Sequence, residues 1–245
     1  MLLLYAFVFI LGLAAGSFIN KGIYSISNGG AASSAEAPAY AGCGGRPGLP
    51  GLLSPRHLMV ELLTAAVFLA LFAKYGLTVS FFAFAYLMSV LIAVFFIDMD
   101  RRIIPNELVV VGLAGGAALF AYNIFRPAAD IYGDGRGWTP LAGLLSGSGL
   151  LYLIALLGGL IFGTDSAIGM GDVKLMAPVG LFLGWKLCLE ALFISVVLSG
   201  MAGLLLVLSR RKKKSDSIPL GPFIAAGTFT AVMWGWDILN WYTGL

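Results

Sequence analysis

The chain has 245 residues, of which 60% are hydrophobic and only 11% charged, with a mean hydropathy of +0.95. A soluble domain must cover itself with polar side chains, and this composition excludes that; it points to lipid as the solvent. The net charge of +3 is too small to imply nucleic-acid affinity, so no nucleic-acid partner is expected, and the informative quantity is where the cations lie.

Charge-free runs mark the expected helices, since about 20 helical residues cross a ~30 Å hydrocarbon core. The first, Leu2–Asn20, has no basic stretch ahead of it and meets its first charge only at Lys21. It therefore reads as an uncleaved helix with its N-terminus outside rather than as a signal peptide. Asn28–Pro50 is rich in Gly, Ala, Ser and Pro and reads as an irregular loop. A second helix is expected over Leu58–Ala73, with Glu61 near its start, and a third over Tyr75–Ile97, running into Asp98. The fourth, Leu108–Phe125, is followed by a short irregular segment, Arg126–Trp138, and then by the fifth run, Gly137–Thr164. Between Lys174 and Lys186 only the 11 residues Leu175–Trp185 are free of charge, so a sixth helix spans only by beginning near Asp172 and continuing past Lys186. Leu187–Ser209, carrying Glu190, is the seventh; the basic turn Arg210–Asp216 and the run Ser217–Trp236 complete a count of eight.

The loop cations test that count. With the N-terminus outside, the inner side holds Lys21, Arg46, Arg56, Arg101, Arg102, Lys174 and the run Arg210–Lys214, which is 11 of the 15 Lys and Arg. Cytoplasmic loops are enriched in these residues, so this orientation is preferred and both Asp98 and Asp172 fall at the cytoplasmic side.

Cys43 and Cys188 fall on opposite sides of the membrane in this topology, and His57 is the only histidine. A disulfide, a zinc tetrad and a Ser-His triad are all disfavoured. The acids carry more. An ionisable group at the edge of an apolar run is costly unless something uses it. Asp98 has the plain alternative of a solvated turn charge; Asp172, after Gly169-Met170-Gly171, has that of a helix N-cap. Asp100, Arg101 and Arg102 read as the turn itself. Two carboxylates that converge would instead suit acid–base chemistry on water, one ionised and one protonated.

As a pair, these motifs resemble a known family. Asp98 with Ile104-Pro105-Asn106, and Gly169-Met170-Gly171-Asp172-Val173-Lys174-Leu175, are similar to the two motifs of the type IV prepilin peptidases, the bacterial Gly-x-Gly-Asp aspartyl proteases. Three further blocks match in order: Gly16-Ser17-Phe18-Ile19-Asn20, Ser54-Pro55-Arg56 with Val60-Glu61-Leu62-Leu63-Thr64, and Ile218-Pro219-Leu220-Gly221-Pro222-Phe223. The resemblance implies an all-α polytopic membrane protein of about eight helices, with Asp98 and Asp172 catalytic at the cytoplasmic ends of helices three and six. Gly169, Gly171, Lys174, Pro105 and Asn106 would line the site. Residues 1–75, with the cytoplasmic loop 21–57, would form a methyltransferase-associated region containing Glu61, and residues 76–245 a six-helix peptidase region.

The implied function is removal of the basic leader from prepilins or pseudopilins, whose apolar N-terminal helix lies in the same bacterial inner membrane. Proteolysis would need no cofactor. N-methylation of the new N-terminus would use S-adenosylmethionine. Many members hold zinc with two Cys-x-x-Cys pairs in the first cytoplasmic loop; here that loop has only Cys43, so no zinc is expected. The alternatives are a peptidase without methyl transfer and a proton-coupled transporter; a transporter usually places its acids near the midplane rather than at one face.

Overall fold

The computed structural model describes residues 2–29, 55–162, 169–209 and 219–244. Arg46, Cys43 and most of the Gly- and Pro-rich loop lie outside the described residues, as do Ser54, the basic run Arg210–Lys214 and Ile218. The chain divides into two compact units, Met1–Gly76 and Leu77–Leu245.

The first unit is a helical hairpin of α1 (Leu2–Gly29) and α2 (Pro55–Tyr75). Its register is visible in four contacts. Tyr5 meets Phe72 edge to face, Gly12 faces Ala65, Gly16 faces Glu61, and the Asn20 amide donates to the His57 carbonyl at 3.2 Å. As the α1 number rises the α2 number falls by the same step, so the helices are antiparallel. A Cβ on Gly12 would sit 2.6 Å from the Ala65 Cα, and one on Gly16 2.6 Å from the Glu61 Cα. The Gly-x-x-x-Gly spacing therefore brings the two backbones together, as small residues do between membrane helices. α1 continues past Lys21 to Gly29, beyond the end set by the charge-free run. One lysine does not stop a helix whose long side chain can reach out of the apolar layer.

In the second unit α3 (Val79–Arg101) starts at a Thr78 cap, whose hydroxyl accepts from the Phe81 N–H at 3.4 Å. It is buried on most of its faces and ends where Arg102 takes left-handed backbone, φ 55°, donating its N–H to the Asp98 carbonyl at 2.9 Å. Pro105 cannot continue a helix because it lacks an N–H; it instead caps α4 (Asn106–Phe125). The segment expected to be irregular, Arg126–Trp138, contains a one-turn helix, α5 (Ala129–Tyr132). The expected fifth helix follows as α6 (Thr139–Leu144), a π-helical stretch Leu145–Gly149, and α7 (Leu150–Phe162).

The centre of this unit is α8 (Met170–Leu208), which packs against α4, α6, α9 (Gly221–Thr243) and the π-helical stretch. Its 39 residues are broken at Gly184, where φ 72° and ψ 175° leave helical space. Glycine is needed there on two counts: the backbone is left-handed, and a Cβ would lie 2.9 Å from the Thr139 methyl group. A break strips the preceding carbonyls of helical partners. The Leu181 carbonyl accepts from the buried Tyr132 hydroxyl at 2.9 Å. Burial pushes that phenol above its ordinary range, so it remains a donor at any working pH. On the α6 side, Gly143 and Gly180 face each other so closely that a Cβ on either would strike the other's backbone.

Among the described residues six helices are long and apolar enough to cross a membrane: α1, α2, α3, α4, the column Thr139–Leu160, and α8. Their outward faces carry residues such as Phe125, 84% exposed, and Leu208, 76% exposed. A soluble fold hides such a surface. This is a multi-pass membrane protein.

Candidate active site

Asp98 sits in the last turn of α3 and is 4% exposed, whereas Asp100 is exposed. Two residues turn a helix by about 200°, so one carboxylate faces inward and the other outward. The Asp98 Oδ2 accepts the main-chain N–H of Gly221 at 2.9 Å. Gly221 opens α9, where helical N–H groups have no partner within the helix.

Asp172 lies in the first turn of α8 and is half-buried. Gly169 precedes the helix in extended backbone, and its carbonyl accepts from the N–H of Asp172 at 3.0 Å and of Val173 at 3.4 Å. A side chain at Gly169 would crowd Asp172, its Cβ falling 2.9 Å from Oδ2. At Gly171 a Cβ would lie 3.2 Å from the Ile104 Cβ. The start of α8 therefore rests on the turn between α3 and α4. The same turn contributes Pro105, which is buried, and Asn106, whose Oδ1 accepts from the Lys174 Nζ at 3.1 Å on the exposed side.

This packing brings the carboxylates of Asp98 and Asp172 within electrostatic reach of each other. Asp98, Asp172, Gly169, Gly171, Pro105, Asn106 and Lys174 thus gather where the end of α3 and the starts of α4, α8 and α9 meet. Lys174 is tied to Asn106, 68 residues earlier in the chain, rather than to either aspartate. Glu61 belongs to the other unit, part-exposed on α2 where that helix crosses Gly16. Among the described residues no three His, Cys, Asp or Glu side chains converge as a metal ion requires.

Sequence reasoning missed Gly221. Its block, Ile218–Phe223, matches the family in order, yet the match alone assigns none of its residues a role. The available signal was Gly-Pro at the head of an apolar run, a common way to open a helix. What lay out of reach was that this opening turn meets Asp98.

Known proteins bear on the same residues. The type IV leader peptidase family matches residues 85–204, which include both aspartates. The chain is 31% identical over 197 residues to the prepilin leader peptidase/N-methyltransferase of Aeromonas salmonicida (strain A449), covering 80% of this chain and 64% of that one. To the protein of the same name from Bacillus subtilis (strain 168) it is 31% identical over 182 residues, covering 74% and 67%. To that of Legionella pneumophila it is 30% identical over 191 residues, covering 78% and 63%. The chain spans just under two thirds of the length of the Aeromonas relative. No solved structure matches it. With its identity to the Bacillus protein spread over two thirds of that relative, and both aspartates inside the matched segment, the chain belongs to the type IV leader peptidase family.

Proposed function

We propose that the chain is a membrane aspartyl endopeptidase that removes the leader peptide from type IV prepilins or pseudopilins, with Asp98 and Asp172 as its catalytic pair. The observation that carries this reading is that Asp98 and Asp172 stand within electrostatic reach of each other at the junction of α3, α8 and α9, with Asp98 held by a main-chain donor. Two like charges in close contact do not both ionise, so the pair shares a proton and titrates as a unit. The ionised carboxylate takes a proton from a water, which attacks the scissile carbonyl. The protonated one donates to the carbonyl oxygen and then supplies the proton that the departing amine requires. Gly169, Gly171, Pro105 and Asn106 shape the surrounding backbone, and Lys174 holds Asn106 across the mouth.

The reading places eight spans in the bacterial inner membrane, with the aspartates at the cytoplasmic face. The break at Gly184 divides α8 into two arms, and the 23-residue α9 follows. The first arm begins near Asp172 as expected but ends before Lys186, so the sixth span would be shorter than a full crossing. Of the 15 Lys and Arg, 11 then fall inside. A bond between a basic leader and an apolar helix would present itself at that face, with the helix still in the bilayer.

N-methylation of the new N-terminus is the proposed second activity, as the relatives' names state for those proteins. S-adenosylmethionine would supply the methyl group; it carries a cationic sulfonium, and the part-exposed Glu61 carboxylate is a charge of opposite sign in the first unit. Co-expression with a prepilin tests both activities. Asp98→Asn and Asp172→Asn should each abolish the leader-removal gel shift at unchanged membrane levels, and persistent cleavage by both variants would sink the peptidase reading. Mass spectrometry of the mature pilin decides the other: an unmethylated N-terminus leaves a peptidase alone.

A further inference from the structure

Acid–base chemistry needs Asp98 in one orientation, and its own helix does not provide it. The Arg102 N–H caps the Asp98 carbonyl, which fixes the backbone but does not bond the carboxylate. The group that reaches the carboxylate comes from 123 residues further along, the Gly221 N–H at 2.9 Å. That donor is itself held rigidly. The first turn of α9 is closed by the Phe223 and Ile224 N–H groups on the Leu220 carbonyl, each at 3.0 Å, and the buried Pro222 restricts the backbone beside Gly221.

The fit admits no side chain. A Cβ at position 221 would lie 2.6 Å from Asp98 Oδ2, 3.1 Å from its Cγ and 3.2 Å from its Cβ. These are atoms of a buried group with little room to retreat. An N–H only donates, so Oδ2 must accept, and the proton shared by the pair is kept on the other carboxyl oxygens. The N-terminal end of α9 also favours negative charge at that spot.

We propose that Gly221 is a positioning residue of the aspartate pair: its amide holds Asp98 in one rotamer as an acceptor, and its missing side chain makes room for that carboxylate. The proposal rests on the peptidase reading, and the test separates the two. The full chain is purified in lipid nanodiscs with a prepilin substrate, and kcat and KM are measured across pH. For Gly221→Ala, kcat should fall about a hundredfold while KM moves by less than about twofold, because misplaced catalytic groups cost turnover rather than binding. The shape of the pH–rate profile should change with it. Gly200→Ala, whose Cβ meets nothing within 4 Å, is the control and should match the parent.

A second variant replaces the 220–221 amide by an ester, deleting the donor without adding an atom to the side chain. It should reproduce most of the kcat loss, and it decides the matter if Gly221→Ala does not accumulate in the membrane. A parent chain that fails to cleave overturns the peptidase reading. A cleaving parent whose ester variant keeps the parental kcat, or loses only KM, overturns the positioning role.

Discussion

The starts of α8 and α9 solve one problem in two ways. Each begins with a glycine pressed against a carboxylate: Gly169 against Asp172, three residues along the same helix, and Gly221 against Asp98, delivered by α3. At α8 the acid and the glycine are neighbours in the chain, so local backbone geometry sets their relation. At α9 the acid is a visitor, and only tertiary packing brings it to the N–H that holds it. The local arrangement is half-buried and has room to adjust; the long-range one is buried and does not.

Glycine substitutions sharpen that difference. Gly169→Ala puts a Cβ 2.9 Å from Asp172 Oδ2, but the far end of a half-buried side chain can swing aside. Turnover should drop about tenfold, well short of the loss expected at position 221, since a shift of about 1 Å in a catalytic group costs up to about a hundredfold. Equal losses at 169 and 221 in the same kinetic assay would break the comparison. Gly171→Ala should cost less again. Its new Cβ meets the Ile104 Cβ at 3.2 Å, a contact relieved by a few tenths of an ångström of movement in the α3–α4 turn. A loss of about threefold in kcat, with about 1 kcal/mol of stability, is expected from thermal unfolding and turnover together.

The same contrast decides what was legible from sequence. Asp98 and Asp172 stood out because charges interrupt apolar runs, and Gly169-Met170-Gly171-Asp172 carries its relation in four consecutive residues. Asp100 was separable from Asp98 by helical periodicity alone, and the structure leaves it exposed. The bond from Lys174 to Asn106 joins positions 68 apart, and that from Gly221 to Asp98 joins positions 123 apart; neither has a local signature. Helix breaks were hidden for a related reason. Gly184 lies between Leu183 and Trp185 in an apolar stretch, and only its left-handed backbone and the approach of Thr139 and Tyr132 show why it must be glycine. Likewise the four residues of α5 are too short to carry a periodic pattern, although Tyr132 is buried and bonded to α8. Tyr132→Phe should therefore destabilise the chain by about 1–2 kcal/mol in thermal melts, by orphaning a buried carbonyl, with turnover retained.

The smallest effects belong to the exposed rim of the α8 start. The Lys174–Asn106 hydrogen bond, 3.1 Å long, is exposed, so water competes for both partners. Lys174→Met should cost less than about 1 kcal/mol. If Lys174 acts only by holding Asn106, then Asn106→Ala should have the same modest effect on turnover, and the double variant should lose no more than either single one. If Lys174 instead acts directly on substrate or on the aspartate pair, Lys174→Met will be the more damaging and the double variant will follow it. The comparison between Asn106→Ala and Lys174→Met thus tells whether the mouth of the site is held locally, as the α8 start holds Asp172, or is itself part of the chemistry.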